Sequence, residues 1–265
     1  MAAATRTPQN SGLVDRLWQP DGLTILFQPI VHICGGDRHL HAVECLARGP
    51  RGTHLEFATA LFETVREEGV EVEVDRLCTG AALATAEKLP DWLRISVNVH
   101  ASTLSRDGGF ARGLALHAAS AGISPSRVTV EIVETSAPEC EKRFARALAD
   151  LRGIGFRLAI DDIGLGHSNL KMFVDVRPDY FKIDRYFVSG VERDPYRHAV
   201  LTSVGELGRR VGALVVAEGV EADSTLNAVI DARICLVQGH LIAKPLGIEE
   251  LLRHPLLAAQ PLARA

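Results

Sequence analysis

No apolar run in the chain approaches the ~20 residues that a membrane-spanning helix requires. The opening residues, MAAATRTPQNSG, lack the apolar core of a signal peptide. Basic residues are not in excess: 29 Lys and Arg stand against 33 Asp and Glu, for a formal net charge of -4. Dedicated binders of nucleic-acid polymers are usually basic, so the charge argues against that class. A small anionic ligand is not, because a bound metal reverses the local sign. Cysteine is sparse and scattered over Cys34, Cys45, Cys78, Cys140 and Cys235, with no CxxC pair. This spacing gives neither a disulfide framework nor a zinc site and suits a reducing compartment. Internal repeats, low-complexity segments and a second-domain boundary are also missing. The expectation is a cytoplasmic protein with no membrane partner. One domain should cover residues 21–258, between a flexible lead-in (1–20) and a short tail (259–265).

The 265 residues are 47% apolar and 23% charged, as in soluble globular proteins. LTILFQPIVHI (23–33) and LHAVECLARG (40–49) read as two strands joined by CGGDRH, a link short enough for an antiparallel hairpin. Six further strands follow, near 93–99, 127–134, 156–162, 179–184, 213–220 and 234–239, separated by segments of helical spacing. Alternation of this kind implies parallel strands with helical crossovers. Eight strands at this length predict an α/β fold: a modified (β/α)8 TIM-type barrel with one antiparallel strand in an N-terminal hairpin.

Carboxylates and amides cluster at the strand ends. Strand 2 carries Glu44 with Arg48 beyond it, strand 3 Asn98, strand 4 Glu131 and Glu134, and strand 5 the adjacent pair Asp161 and Asp162. Strand 6 carries Lys182 and Asp184, strand 7 Glu218 with Glu221 after it, and strand 8 Gln238. A parallel barrel gathers these ends at one rim, where barrel active sites lie. Lys182 and Asp184 are two residues apart and share a face. Uncompensated carboxylates so close together would repel or take up protons. Oxygen-only ligands favour Mg²⁺ or Mn²⁺ over Zn²⁺, and a set this rich could hold two ions and promote in-line attack of water on a phosphodiester. Taken singly, Glu134 and Glu221 read as helix caps or loop residues. His32, His39 and His41, close together in the hairpin, read as surface histidines rather than a metal site, and REEGVEVEVD (66–75) as a solvated helix face.

Several ordered stretches resemble the EAL-domain family, the phosphodiesterases that open cyclic di-GMP to linear pGpG. FQPIV resembles the family's opening strand, and ECLAR stands where its EALLR motif would be. VNVHAS and VEIVET resemble the strands with the metal-binding Asn and the ELTE-type motif. DDIGLGHSNL stands for DDFGTGYSSL, FKID for KID, VAEGVE for AEGVE and VQGHLIAKPL for QGYLFSRPL. The likeness covers about residues 23–247.

It implies a cyclic-guanylate-specific phosphodiesterase with two Mg²⁺ or Mn²⁺ ions, in a (β/α)8 barrel with one antiparallel strand. Glu44, Asn98, Glu131 and Asp161 would hold one ion; Asp161, Asp162 and Asp184 the other, with Glu218 nearby. Lys182 would orient or activate the water, so the catalytic group comprises Lys182, Glu218, Glu44 and Asp161. Arg48 would meet a ligand phosphate, and Gln28 and Gln238 would line the cyclic di-GMP pocket. Glu134 would brace the loop 162–170, and Glu221 would support the site. That loop would also carry homodimer contacts, and a sensor would act in trans. It departs from the family pattern at Ile163, Leu165, His167 and Asn169, and Cys45 replaces the Ala of EAL. The resemblance leaves one alternative: a catalytically silent or weak EAL domain acting as a cyclic di-GMP receptor or protein-interaction regulator.

Overall fold

The structure is a computed structural model that describes residues 11–34, 36–133, 140–163 and 169–258. Its centre is a closed barrel in the order β1 to β8. The strands are β1 (Thr24–Cys34), β2 (Asp37–Arg48), β3 (Arg94–His100), β4 (Val128–Val133), β5 (Arg157–Ile163), β6 (Tyr180–Ile183), β7 (Leu214–Ala217) and β8 (Leu236–Val237). β1 runs antiparallel to both of its neighbours, β2 and β8, and every other pairing is parallel. The hairpin turn is tighter than expected: β1 extends to Cys34 and β2 begins at Asp37, with Gly36 at φ +95°. Glycine occupies such a conformation without the Cβ clash that other residues meet.

The helices are α1 (Ser11–Val14), α2 (Ala58–Glu68), α3 (Glu71–Ala86), α4 (Ala101–Arg106), α5 (Phe110–Ser120) and α6 (Glu141–Ile154), followed by α7 (Asn169–Val176), α8 (Arg185–Val188), α9 (Pro195–Val211), α10 (Asp223–Asp231), α11 (Ile248–Leu252) and α12 (Pro255–Ala258). Their ends follow local chemistry. Asp194 accepts from the amides of Tyr196 and Arg197, Pro195 opens the first turn of α9, and Gly212 closes it in the left-handed conformation.

Two further segments differ from the sequence reading. The lead-in is helical over Ser11–Val14 and again over Asp15–Trp18, because Val14 and Leu17 are buried against the main core. The acidic stretch 66–75 is not wholly solvated: Glu71 and Asp75 are buried, Glu71 paired with Arg106 and Asp75 with His100. Charge density in the sequence could not show that these two positions turn inward.

Apolar residues form an outer core between the barrel and its helices. A second, small cluster of Ile30, Ala42, Ala159, Tyr180, Val216 and Leu236 fills the barrel itself. This inner plug separates the two poles. At the pole where the parallel strands begin, His41 Nε2 lies 3.1 Å from the Tyr180 hydroxyl. His32, His39 and His41 are all half-buried rather than surface histidines.

The His41 environment makes stability depend on pH. Burial first, then the charges of Arg94, His32 and Arg157, push its pKa down to about 4 from an ordinary 6.5. Between those values the unfolded chain binds a proton that the folded chain refuses. The contribution is therefore intact above pH 6.5 and is lost as pH falls toward 4, by up to about 3 kcal/mol. Urea midpoints measured from pH 7.5 to 4.5 should fall less steeply in His41→Gln than in the wild type. Parallel curves would show that His41 carries no linked proton.

Candidate metal centre

The register brings the polar residues together. Gln28 lies opposite Glu44, Glu44 beside Ser96, and Asn98 beside Glu131. Alternation along each strand then points these side chains into the barrel mouth above the apolar plug. β7 and β8 end just before the residues they present, Glu218 and Gln238. A glycine follows each, and both are required. Gly219 has φ +66°, and a Cβ there would sit 2.5 Å from the Cβ of Arg185. At Gly239 a Cβ would meet the Val220 carbonyl oxygen at 2.2 Å.

Lys182 stands at the centre, only 3% exposed. Its Nζ contacts Glu131 Oε1, and lies 3.1 Å from Glu44 Oε2, 3.4 Å from Asp161 Oδ1 and 2.5 Å from Glu218 Oε1. Further donors hold the ring of acids. Ser96 Oγ donates to Glu131 Oε2 at 2.7 Å. Asn98 Nδ2 donates to Glu44 Oε1 at 2.9 Å, and Gln238 Nε2 to Glu44 Oε2 at 2.7 Å and Gln28 Oε1 at 3.1 Å.

One ammonium cannot neutralise four carboxylates. The strain shows in their proton affinities. Burial, against the pull of Lys182 and with help from Glu44 and Asp161, pushes Glu131 up to about 8. Burial likewise raises Glu218 well above the carboxylate range. At Glu44 burial also acts upward, but Lys182 and the Asn98 and Gln238 hydrogen bonds outweigh it and leave the group lowered. The Lys182 ammonium is held firmly protonated by Asp161, Glu131, Glu218 and Glu44 against the effect of burial.

The set fits a divalent cation. Carboxylate oxygens of Glu44, Glu131 and Glu218 all lie within 4.8 Å of one another. Asn98 Oδ1 is buried and has no hydrogen-bond partner. Because the Glu44 carboxylate can only accept, the Asn98 amide must turn its nitrogen that way and leave this oxygen free. An unpaired buried acceptor beside excess negative charge is what a hard cation satisfies.

The other expected residues fall into three groups. Asp184, Glu221 and Gln28 line the same cavity of about 320 Å³ as Glu44, Lys182 and Glu218. Asp184 also caps α8, its Oδ1 accepting from the Tyr186 amide at 2.6 Å. Arg48 sits instead on an adjoining cavity of about 240 Å³, which it shares with Asn98, Glu44 and Asp161. There its guanidinium donates to the neighbouring Ala47 carbonyl at 2.9 Å. Glu134 and residues 164–168, with Leu165 and His167, lie outside the described residues, as do the side chains of Asp162, Ile163 and Asn169.

Three contributors escaped the sequence reading. Ser96 is two residues before Asn98, so strand periodicity could have placed it on the same face. Asp75 and His100 could not be paired from sequence. Asp75 on α3 takes the His100 amide at 2.9 Å and its Nδ1 at 2.8 Å, tying α3 to the end of the strand that carries Asn98.

The family model for the EAL domain matches residues 13–245. The chain is 29% identical over 244 residues to the probable cyclic di-GMP phosphodiesterase PdeG of Escherichia coli, covering 86% of this chain and 45% of that protein. It is 32% identical over 173 residues to the cyclic di-GMP phosphodiesterase RocR of Pseudomonas aeruginosa, covering 64% of this chain and 44% of that one. The chain thus spans less than half the length of these two relatives. Among solved structures, a manganese and cyclic di-GMP complex of Klebsiella pneumoniae BlrP1 superimposes with TM-score 0.75 at 28% identity, over 86% of this chain and 57% of that one. An EAL enzyme, Bd1971, gives TM-score 0.81 at 21% identity over 91% and 67%, a likeness of fold. Among the described residues no helix is long and apolar enough to cross a membrane.

Proposed function

The chain belongs to the EAL domain family, and from that premise we propose that it is a metal-dependent phosphodiesterase that hydrolyses cyclic di-GMP to linear pGpG. The observation that carries this reading is the Lys182-centred ring of Glu44, Glu131, Asp161 and Glu218, with the unpaired Asn98 Oδ1 beside it. Glu44, Asn98, Glu131 and Asp161 would hold one Mg²⁺ or Mn²⁺; Asp161, Asp162 and Asp184 would hold a second, near Glu218. When bound, the ions supply charge neutralisation at the phosphodiester and promote in-line attack by water.

The chain's own residues do the rest. Lys182 holds the acids in register and offers an ammonium N–H to orient the attacking water. Arg48 turns its guanidinium from the Ala47 carbonyl to a ligand phosphate, a charge-assisted contact of greater strength. Gln28 and Gln238, already hydrogen-bonded to each other, line the nucleotide pocket. Glu221 supports the same wall. Incubation with cyclic di-GMP and Mn²⁺, followed by chromatography, should yield pGpG. Nucleotide retained on the protein but never opened would overturn the enzymatic reading in favour of a receptor.

The raised proton affinity of Glu131 adds a prediction. Burial favours a proton on Glu131 in the metal-free site, its proton affinity pushed up to about 8, and a cation must displace that proton. Apparent Mn²⁺ affinity should rise with pH through about 8 and level off only above it. Calorimetry in buffers of different ionisation enthalpy should show proton release. Binding heats independent of buffer would refute it.

A further inference from the structure

The pole opposite the carboxylates carries histidines that the proposed chemistry does not use. His32 on β1 and His39 on β2 are direct partners across the antiparallel ladder, so their side chains leave the same face as neighbours. The Nδ1 atom of each is buried and has no hydrogen-bond partner. Two unsatisfied imidazole nitrogens on facing residues form a pair that one ligand could satisfy.

Local structure supports the pairing. The ladder shifts register between Ile30 and Val31, where β2 carries one extra residue, His41. Bulges re-aim side chains and strengthen twist. Here the extra residue turns to Tyr180 and leaves His39 opposite His32. Burial, and then His39, lower the proton affinity of His32, so its ring offers a lone pair at neutral pH. His32 also lines a cavity of about 510 Å³, together with Glu206 and Asp231.

We propose that His32 and His39 form a bis-imidazole site for a transition-metal ion of the zinc, nickel or copper class, with water completing the shell. Imidazole selects such ions, whereas Mg²⁺ prefers the oxygen ligands of the opposite rim. The two sites therefore differ in chemistry as well as place. Among the described residues, only the glutamate cluster offers three such ligands within 4.8 Å. The hairpin site is bidentate and weaker than a closed structural site.

The test uses Ni²⁺ as probe on the full chain, by calorimetry in excess Mg²⁺. One saturable equivalent should bind. His32→Gln and His39→Gln should each weaken it by about 10–100-fold or more, while Cys235→Ser leaves it unchanged. Because a half-buried substitution can perturb folding, the wild type is also loaded with Cu²⁺ and examined by electron paramagnetic resonance. Coupling to two imidazole nitrogens is expected. Absence of saturable binding, binding unchanged in both histidine variants, or a copper spectrum without paired imidazole coupling would each overturn the proposal.

Discussion

Lys182→Ala should lower turnover of cyclic di-GMP by about 10²–10⁴-fold, the range for a group that positions water or moves its proton. Nucleotide affinity should stay within about tenfold, ~1.4 kcal/mol, because in the proposed complex Arg48 and the cations would carry the phosphate contacts. The geometry adds a second effect. With the ammonium gone, Glu44, Glu131, Asp161 and Glu218 face one another around the space it filled. Removing one partner of a buried ion pair destabilises by about 3–5 kcal/mol, and a bound cation offsets part of that loss. Addition of Mn²⁺ should therefore raise the melting temperature of Lys182→Ala more than that of the wild type. If affinity collapsed while turnover at saturation held, Lys182 would be a ligand clamp instead.

Glu44→Gln should lower metal affinity and hydrolysis together, by about 10²-fold or more, since even a supporting residue around a metal is worth 10–100-fold. Glu44 receives three donors, from Asn98, Gln238 and Lys182. A glutamine carboxamide supplies one acceptor and turns an NH₂ group toward the others. The Asn98 amide then loses the contact that holds its Oδ1 free. The fold should survive, because Lys182 keeps three of its four acids. Mn²⁺ titration by calorimetry and initial rates on the same preparation check both halves. Unchanged hydrolysis in a folded Gln variant would show that Glu44 is not a ligand.

Much of this architecture was legible in the residues. Alternating apolar runs and helical segments gave the barrel, and CGGDRH implied the antiparallel hairpin because no crossover fits in so few residues. The rim could be read because each strand end is a polar interruption of an apolar run: Glu218 after VVA, Asp161 after LAI. What stayed hidden depends on tertiary context. Nothing local shows that Asp75 turns inward to His100, or that Val14 and Leu17 dock onto the core. Arg48 follows Glu44 by an even number of residues, yet its guanidinium rests on the adjoining cavity. Asp184 does face the mouth, but one of its oxygens is engaged in capping α8. The histidines of the hairpin looked exposed because the bulge that turns His41 inward leaves no mark in the sequence.

The central claim is that the oxygen-lined rim works through bound divalent cations. The most direct measurement is the initial rate of cyclic di-GMP opening by the wild-type chain, titrated with Mn²⁺ or Mg²⁺ and repeated in excess EDTA. The account predicts saturable activation by either ion, inhibition by Ca²⁺ through its looser coordination, and no turnover in chelator. Full turnover in excess EDTA would contradict it.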